Sequence, residues 1–184
     1  MTIYHSWFKL FGLLAKADKT DLREEIIVEN VSRLYCMACR EFVPVRDNHE
    51  CPSEYFAAVD REMVGIVDRL YKMGITPMIA VWSAIDMSDV KDFEYLLTVK
   101  VDIGRRICEA VLGELPAGWK YHWETVTPDK TELHMIACVE RWYNFGFEDE
   151  SVETRIYELI KQFEDYLDTR DCEAVKALLI LLEV

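Results

Sequence analysis

The stretch ITPMIAVWSAIDMSDVKDFEYLLTVKVDI, residues 75–103, is where the chain leaves helical spacing. Residues 75–82 and 93–103 are rich in β-branched and aromatic side chains, which fit a pleated, half-buried surface, and both runs have strand lengths. Residues 86–92 form the connection. Two strands are therefore expected near the middle of the chain, and the flanking segments are read as what packs on them.

Toward the N-terminus the spacing is helical. Ser53, beside Pro52, is expected to start a helix over 53–73, with Phe56, Val59, Met63, Ile66, Val67 and Leu70 on one face and Gly74 as its end. Before it, Thr20 or Asp21 can cap a helix reaching about residue 35, with Leu22, Ile26, Ile27, Val31 and Leu34 as its stripe. Residues 3–17 read as an amphipathic helix, because Ile3, Trp7, Leu10, Phe11 and Leu14 share a face while Lys9 and Lys16 interrupt the apolar run.

Toward the C-terminus, residues 104–115 are expected to be helical through Ile107, Val111 and Leu112, until Pro116-Ala117-Gly118 breaks the pattern. Residues 119–127 and 131–143 alternate around Thr127-Pro128-Asp129-Lys130, which predicts a β-hairpin. Helices over 151–168 and 171–182 follow. The predicted fold is α+β, one domain over residues 1–184: about four mainly antiparallel strands packed with helices, N-terminal helices joined by a zinc-binding loop at 36–51, and a C-terminal helical pair within 148–184. A chain of 184 residues is long enough to bury roughly two-thirds of its unfolded surface.

Three of the six cysteines cluster. Cys36-Met37-Ala38-Cys39 is followed by His49-Glu50-Cys51, and a two-residue gap lets both thiolates of a tight turn converge on one tetrahedral ion. The later His and Cys supply the remaining corners, so Cys36, Cys39, His49 and Cys51 are the candidate ligands of one structural zinc ion, joining the end of the second helix to the start of the third. The His-x-Cys half is an unusual spacing, and two other readings stay open: reduced cysteines beside a surface His, or a redox role for Cys36 and Cys39. Cys108, Cys138 and Cys172 stand alone and read as buried thiols. Clustered cysteines without an export signal point to the reducing cytoplasm, and no segment has the roughly 18 apolar residues of a membrane span.

No phosphate-binding loop, dinucleotide fingerprint, nucleophile elbow or zinc-protease motif occurs, so the usual sequence warrants for an enzyme are missing. One arrangement could still carry acid–base chemistry: His122 and Glu124 on one strand of the hairpin, and Glu132 and His134 on the other. The aromatics at Trp119, Tyr121, Trp123, Trp142, Tyr143, Phe145 and Phe147 read as core or as partner anchors.

The net charge is −13, which argues against direct nucleic-acid binding and favours a basic protein partner, although acidity also serves solubility alone. Residues 148–173 hold ten acidic side chains against Arg155, Lys161 and Arg170, so seven of the thirteen net negative charges lie there. Glu148, Asp149, Glu150, Glu153, Glu158, Glu164, Asp165 and Asp168 form the candidate partner-binding surface, with Ile156, Leu159, Ile160, Phe163 and Leu167 on the opposite, inward face. Residues 174–182 are so apolar that they are either buried or shared with a second subunit as a homodimer contact.

Taken with this acidic helix and the cysteine knot, Gly74-Ile75-Thr76-Pro77-Met78 and Leu115-Pro116-Ala117-Gly118-Trp119 give the chain a look that resembles anti-CRISPR proteins of phages and bacterial mobile elements. That resemblance implies a non-enzymatic inhibitor of a type II CRISPR RNA-guided nuclease, whose positively charged channel would attract this surface. It assigns no individual residue. The competing expectation is a zinc-stabilised adaptor or self-associating structural protein.

Overall fold

Both central runs form strands: the second, Glu94–Asp102, has nearly the expected extent, while the first lies four residues later than expected, at Ile79–Asp86, and the two pair antiparallel from Ile79↔Asp102 to Asp86↔Tyr95. The computed structural model in which they lie describes residues 27–29, 32–44, 49–87, 94–103, 109–125, 132–143 and 151–182. In chain order the strands are β1 (Ile27–Glu29), β2 (Arg33–Cys36), β3 (Glu41–Phe42), β4 (Phe56–Val59), β5 (Ile79–Asp86), β6 (Glu94–Asp102), β7 (Trp119–Thr125) and β8 (Glu132–Tyr143). The helices are α1 (Val64–Lys72), α2 (Glu109–Leu112), α3 (Val152–Asp168) and α4 (Cys172–Leu181).

The eight strands among the described residues belong to one mixed sheet, in the order β3-β2-β4-β5-β6-β8-β7, with β1 added beside β5. One edge of β5 is shared. Its first residues pair parallel with β4 through Ala58↔Ile79 and Val59↔Ala80, and its later residues pair antiparallel with β1 through Ile27↔Ile85 and Glu29↔Ser83. Helix α1 makes the crossover that a parallel pair requires.

This arrangement corrects two expectations. Residues 27–29 and 33–36 are strands, not the second half of a helix, and residues 56–59 are a strand, not the start of one. The sheet is therefore about twice as wide as predicted and the expected N-terminal helices are absent from these positions. The reason is the demand of β5 for edge partners: a buried backbone N–H or C=O must be paired. Asp60 N–H donates to Ala80 O at 2.9 Å, and the Asp60 carboxylate accepts from Trp82 N–H at 2.9 Å. These bonds hold the chain extended as far as residue 60. The expected helix over 3–17 lies outside the described residues.

Gly74 terminates α1 as expected. At φ +84° it adopts the left-handed conformation, Gly74 N–H donates to Tyr71 O, and Ile75 N–H reaches back to Leu70 O at 2.9 Å, with Ile75 and Leu70 both buried. The C-terminal helical pair also forms where expected. Ser151 Oγ accepts from Thr154 N–H to cap α3, and Asp171 caps α4 by accepting from Glu173 N–H and Ala174 N–H.

The core lies between one sheet face and helices α1 and α3. Ala80, Trp82, Leu97, Val99, Val101, Ile136 and Trp119 from the strands meet Ile66, Leu70, Ile156, Ile160, Phe163 and Leu167 from the helices. Phe163 is fully buried and stacks on Trp119 with ring centroids 4.2 Å apart and on Tyr166 at 5.6 Å. Among the described residues no helix is long and apolar enough to cross a membrane.

Candidate metal centre and the acidic helix

Strands β2 and β3 form a short hairpin whose turn is the Cys-x-x-Cys segment, with Cys36↔Glu41 as the last pair. Arg40 N–H donates to Cys36 O at 2.8 Å to close the turn, and Arg40 takes φ +58°, a left-handed conformation that side chains other than Gly seldom adopt. The chain returns through His49, Glu50, Cys51 and Pro52 to β4, which pairs with the other edge of β2 at Cys36↔Phe56. Cys36 and Cys39 thus come from a hairpin turn, and His49 and Cys51 from the segment leading into the neighbouring strand. The four candidate ligands therefore come from β2, the β2–β3 turn and the segment before β4, rather than from a loop between two helices.

Neighbouring contacts fix this edge. Met37 N–H donates to Tyr55 O at 2.9 Å, and His49 packs edge-on against Phe56 with centroids 5.3 Å apart. Tyr35 O–H donates to Asp68 Oδ1 of α1 at 2.8 Å; burial, then this bond and the Asp68 charge, push the phenol well above its usual range.

One ligand atom from each of Cys36, Cys39, His49 and Cys51 lies within 4.8 Å of the others, and Cys39 Sγ is 3.4 Å from Cys51 Sγ. Ligands at zinc-like bond lengths in a tetrahedron sit about 3.5–3.8 Å apart, so the cluster is close to that size. His49 Nε2 is buried and makes no hydrogen bond. A buried imidazole nitrogen without a partner is costly unless something fills its lone pair, and a cation among three sulfurs does so. Its Nδ1 lies 3.8 Å from Glu41 Oε1, close enough for a charge interaction but beyond hydrogen-bond distance. The four side chains can bind a metal.

With no cation among the thiols, the neighbours of Cys39 favour its protonated form. Hydrogen bonding with Cys51 first, and with Cys36 next, pushes the Cys39 thiol up to about 12. A divalent cation reverses this by stabilising thiolate, so metal uptake releases protons. Exposure grades across the cluster: Cys36 is fully buried, Cys51 is partly exposed and Cys39 is exposed. Of the remaining cysteines, Cys138 is buried, its thiol pushed up to about 11 by burial, Cys172 is partly exposed, and Cys108 lies outside the described residues.

Helix α3 has the inward face read from sequence, since Ile156, Leu159, Ile160, Phe163 and Leu167 are all buried. Its acidic face is less open than expected. Asp168 accepts two bonds from Arg69 of α1, at 2.8 and 2.9 Å, which hold its carboxyl below the usual range. Glu164 is not outward-facing: it is largely buried, 3.4 Å from Arg69, where a Cβ on Gly65 would collide with its carboxylate. Glu158 pairs with Arg155 at 2.6 Å, and Asp165 with Lys161 at 2.7 Å. Glu153 is exposed. Glu148, Asp149 and Glu150 lie outside the described residues.

The hairpin register separates the two histidines. Trp123 pairs with His134 and His122 with Met135, so His122 and His134 occupy opposite sheet faces. The two histidines do not converge on one site. Trp119 and Trp142 are core, whereas Trp123 is 70% exposed. On α4 only Val175 and Leu179 are buried, and Ile180 and Leu181 are 80% and 76% exposed.

Sequence reading found the four candidate ligands but missed Glu41, Arg40 and Asp60. Glu41 carries no local signal, because its approach to His49 depends on the β2–β3 hairpin. Asp60 is a buried carboxylate at a strand-to-helix junction, and an Asp ahead of a helical stripe was its only sequence signal. No protein-family model, no curated protein and no solved structure matches this chain.

Proposed function

We propose that this chain is a non-enzymatic binding protein whose β3-β2-β4 edge is held by a structural zinc ion on Cys36, Cys39, His49 and Cys51. The observation that carries the metal is the convergence of one His49 nitrogen and three cysteine sulfurs within 4.8 Å of one another, together with a buried His49 Nε2 that makes no hydrogen bond. Three sulfurs and a nitrogen favour zinc over harder cations, and four protein ligands leave no position for a water or substrate. Zinc would here be a staple. Elemental analysis of tag-free protein tests it, together with cobalt(II) replacement, whose absorption bands distinguish a tetrahedral thiolate-rich site. One zinc per chain and a tetrahedral cobalt spectrum are expected; metal-free protein that takes up neither ion ends the proposal.

The partner we propose is a basic protein, with an RNA-guided nuclease as the specific candidate that the anti-CRISPR resemblance implies. The net charge of −13 and the outward carboxylates Glu153, Glu158, Asp165 and Asp168 of α3 support it. Charge reversal at Glu153 and Glu158 is the appropriate test, because Glu164 and Asp168 also tie α3 to Arg69 and would confuse binding with folding. Binding to a type II effector should weaken with added salt and with Glu153→Lys/Glu158→Lys. Absence of binding at low salt, or indifference to the double reversal, removes this partner. Homodimerisation through α4 is the alternative that exposed Ile180, Leu181 and Leu182 favour, and sedimentation at several concentrations separates the two.

A further inference from the structure

We propose that Cys39 and Cys51 form an oxidisable pair, so that a peroxide converts the zinc-stapled edge into a disulfide-linked, zinc-free one. The inference rests on the zinc reading above and adds a modification site to it. Three observations carry it. Cys39 is exposed while Cys36 is fully buried, so an oxidant from solvent meets Cys39 first. Cys51 Sγ lies 3.4 Å away, and closing to a disulfide bond of about 2.05 Å takes a movement of about 1.4 Å. Cys51 also sits in the irregular segment ahead of β4, whereas Cys36 is locked between β3 and β4 by backbone pairing on both sides. The resolving thiol is therefore Cys51.

The chemistry balances with hydrogen peroxide as the oxidant. The Cys39 thiolate attacks one peroxide oxygen, the O–O bond breaks, and a sulfenic acid and hydroxide result. The Cys51 thiolate then attacks the Cys39 sulfur, the S–O bond breaks, and a second hydroxide leaves. Two thiolates have each given up one electron, two protons from solvent convert the hydroxides to water, and the disulfide is the product. Two of four ligands are lost. Cys36 and His49 alone do not hold zinc against solvent, so the ion departs.

The test uses the full-length, zinc-loaded protein with a colorimetric zinc indicator in solution, titrated with hydrogen peroxide. One zinc should be released per disulfide formed, mass spectrometry should find the Cys39 and Cys51 peptides linked, and thiol reductant plus zinc should restore the starting state. A Cys138→Ser/Cys172→Ser variant should behave identically. Cys51→His keeps a fourth ligand but removes the resolving thiol, so peroxide should leave Cys39 as a sulfenic acid that a dimedone-type probe traps, or at excess peroxide as a sulfinic acid, with no disulfide to residue 51. A zinc-loaded chain whose disulfide joins Cys36 instead, or which loses zinc without any disulfide, overturns the proposal alone. A chain that takes up no zinc under reducing conditions overturns the zinc reading and this proposal with it.

Discussion

Removing the metal should lower the melting temperature by an amount that can be worked from the loop it closes. The ligands tie Cys36 to Cys51, a closed loop of about 15 residues, for which chain entropy gives about 3 kcal/mol at 25 °C. In a domain of this size each kcal/mol moves the midpoint by about 2–4 °C, so zinc removal should cost about 6–12 °C. The larger binding energies of isolated zinc fingers, about 10–16 kcal/mol, are not expected to appear as fold stability here. Those peptides have no other core, whereas this chain buries Ile66, Leu70, Leu97, Val99, Ile136 and Phe163 away from the cluster. The assay is thermal unfolding followed by circular dichroism for zinc-loaded, chelator-stripped and His49→Ala protein, each with its metal content measured. Hydrogen exchange should show the loss of protection confined to residues 33–59, with β6 and β8 unchanged. Midpoints agreeing within about 1 °C between loaded and stripped samples, or a collapse that spreads to β6 and β8, would refute the picture of a local staple.

Phe163→Ala should destabilise the chain by about 3–5 kcal/mol, because the ring is fully buried and stacked on Trp119; a denaturant midpoint shift worth under about 1 kcal/mol would contradict that packing. Gly74→Ala should cost about 1–2 kcal/mol through its φ of +84°. The added Cβ itself meets Lys176 and Leu179 only at 3.5 and 3.6 Å, so an unchanged midpoint would mean that the helix end relaxes. Asp60 is held neutral-favouring chiefly by burial, with the Trp82 N–H bond pulling the other way, so its folded pKa lies above the unfolded value of about 3.9. Stability linked to it is present below the unfolded pKa and is lost as pH rises through the raised folded value. Urea midpoints measured across that range should fall less steeply for Asp60→Asn than for the wild type, and parallel profiles would remove Asp60 as the cause.

Local chemistry accounts for the parts of the fold that were readable in advance. The C-terminal helices carry both a stripe and a cap, Ser151 and Asp171, and these depend only on residues within a few positions. Gly74 is another such local signal, and so is the alternation that places β7 against β8. The run from Phe56 to Leu70 misled for an equally physical reason. Phe56, Val59, Met63, Ile66, Val67 and Leu70 fit a helical stripe, but Phe56–Val59 is also a strand in which Ala57 and Val59 face the core. Periodicity cannot separate the two over four residues.

The amino-acid sequence alone determined which atoms are available: three sulfurs and an imidazole in a short span, a C-terminal pair of amphipathic helices, and an acidic charge concentrated near them. Tertiary structure decided what those atoms meet. It gathered a His49 nitrogen and three sulfurs within 4.8 Å of one another, brought Glu41 near the imidazole, put His122 and His134 on opposite sheet faces, and brought Arg69 to Asp168 across 99 residues of sequence. The difference is physical. Capping and helical spacing are settled within a turn or two of chain, while strand partners and ion pairs are settled by which buried backbone and charged groups must find a mate elsewhere in the fold.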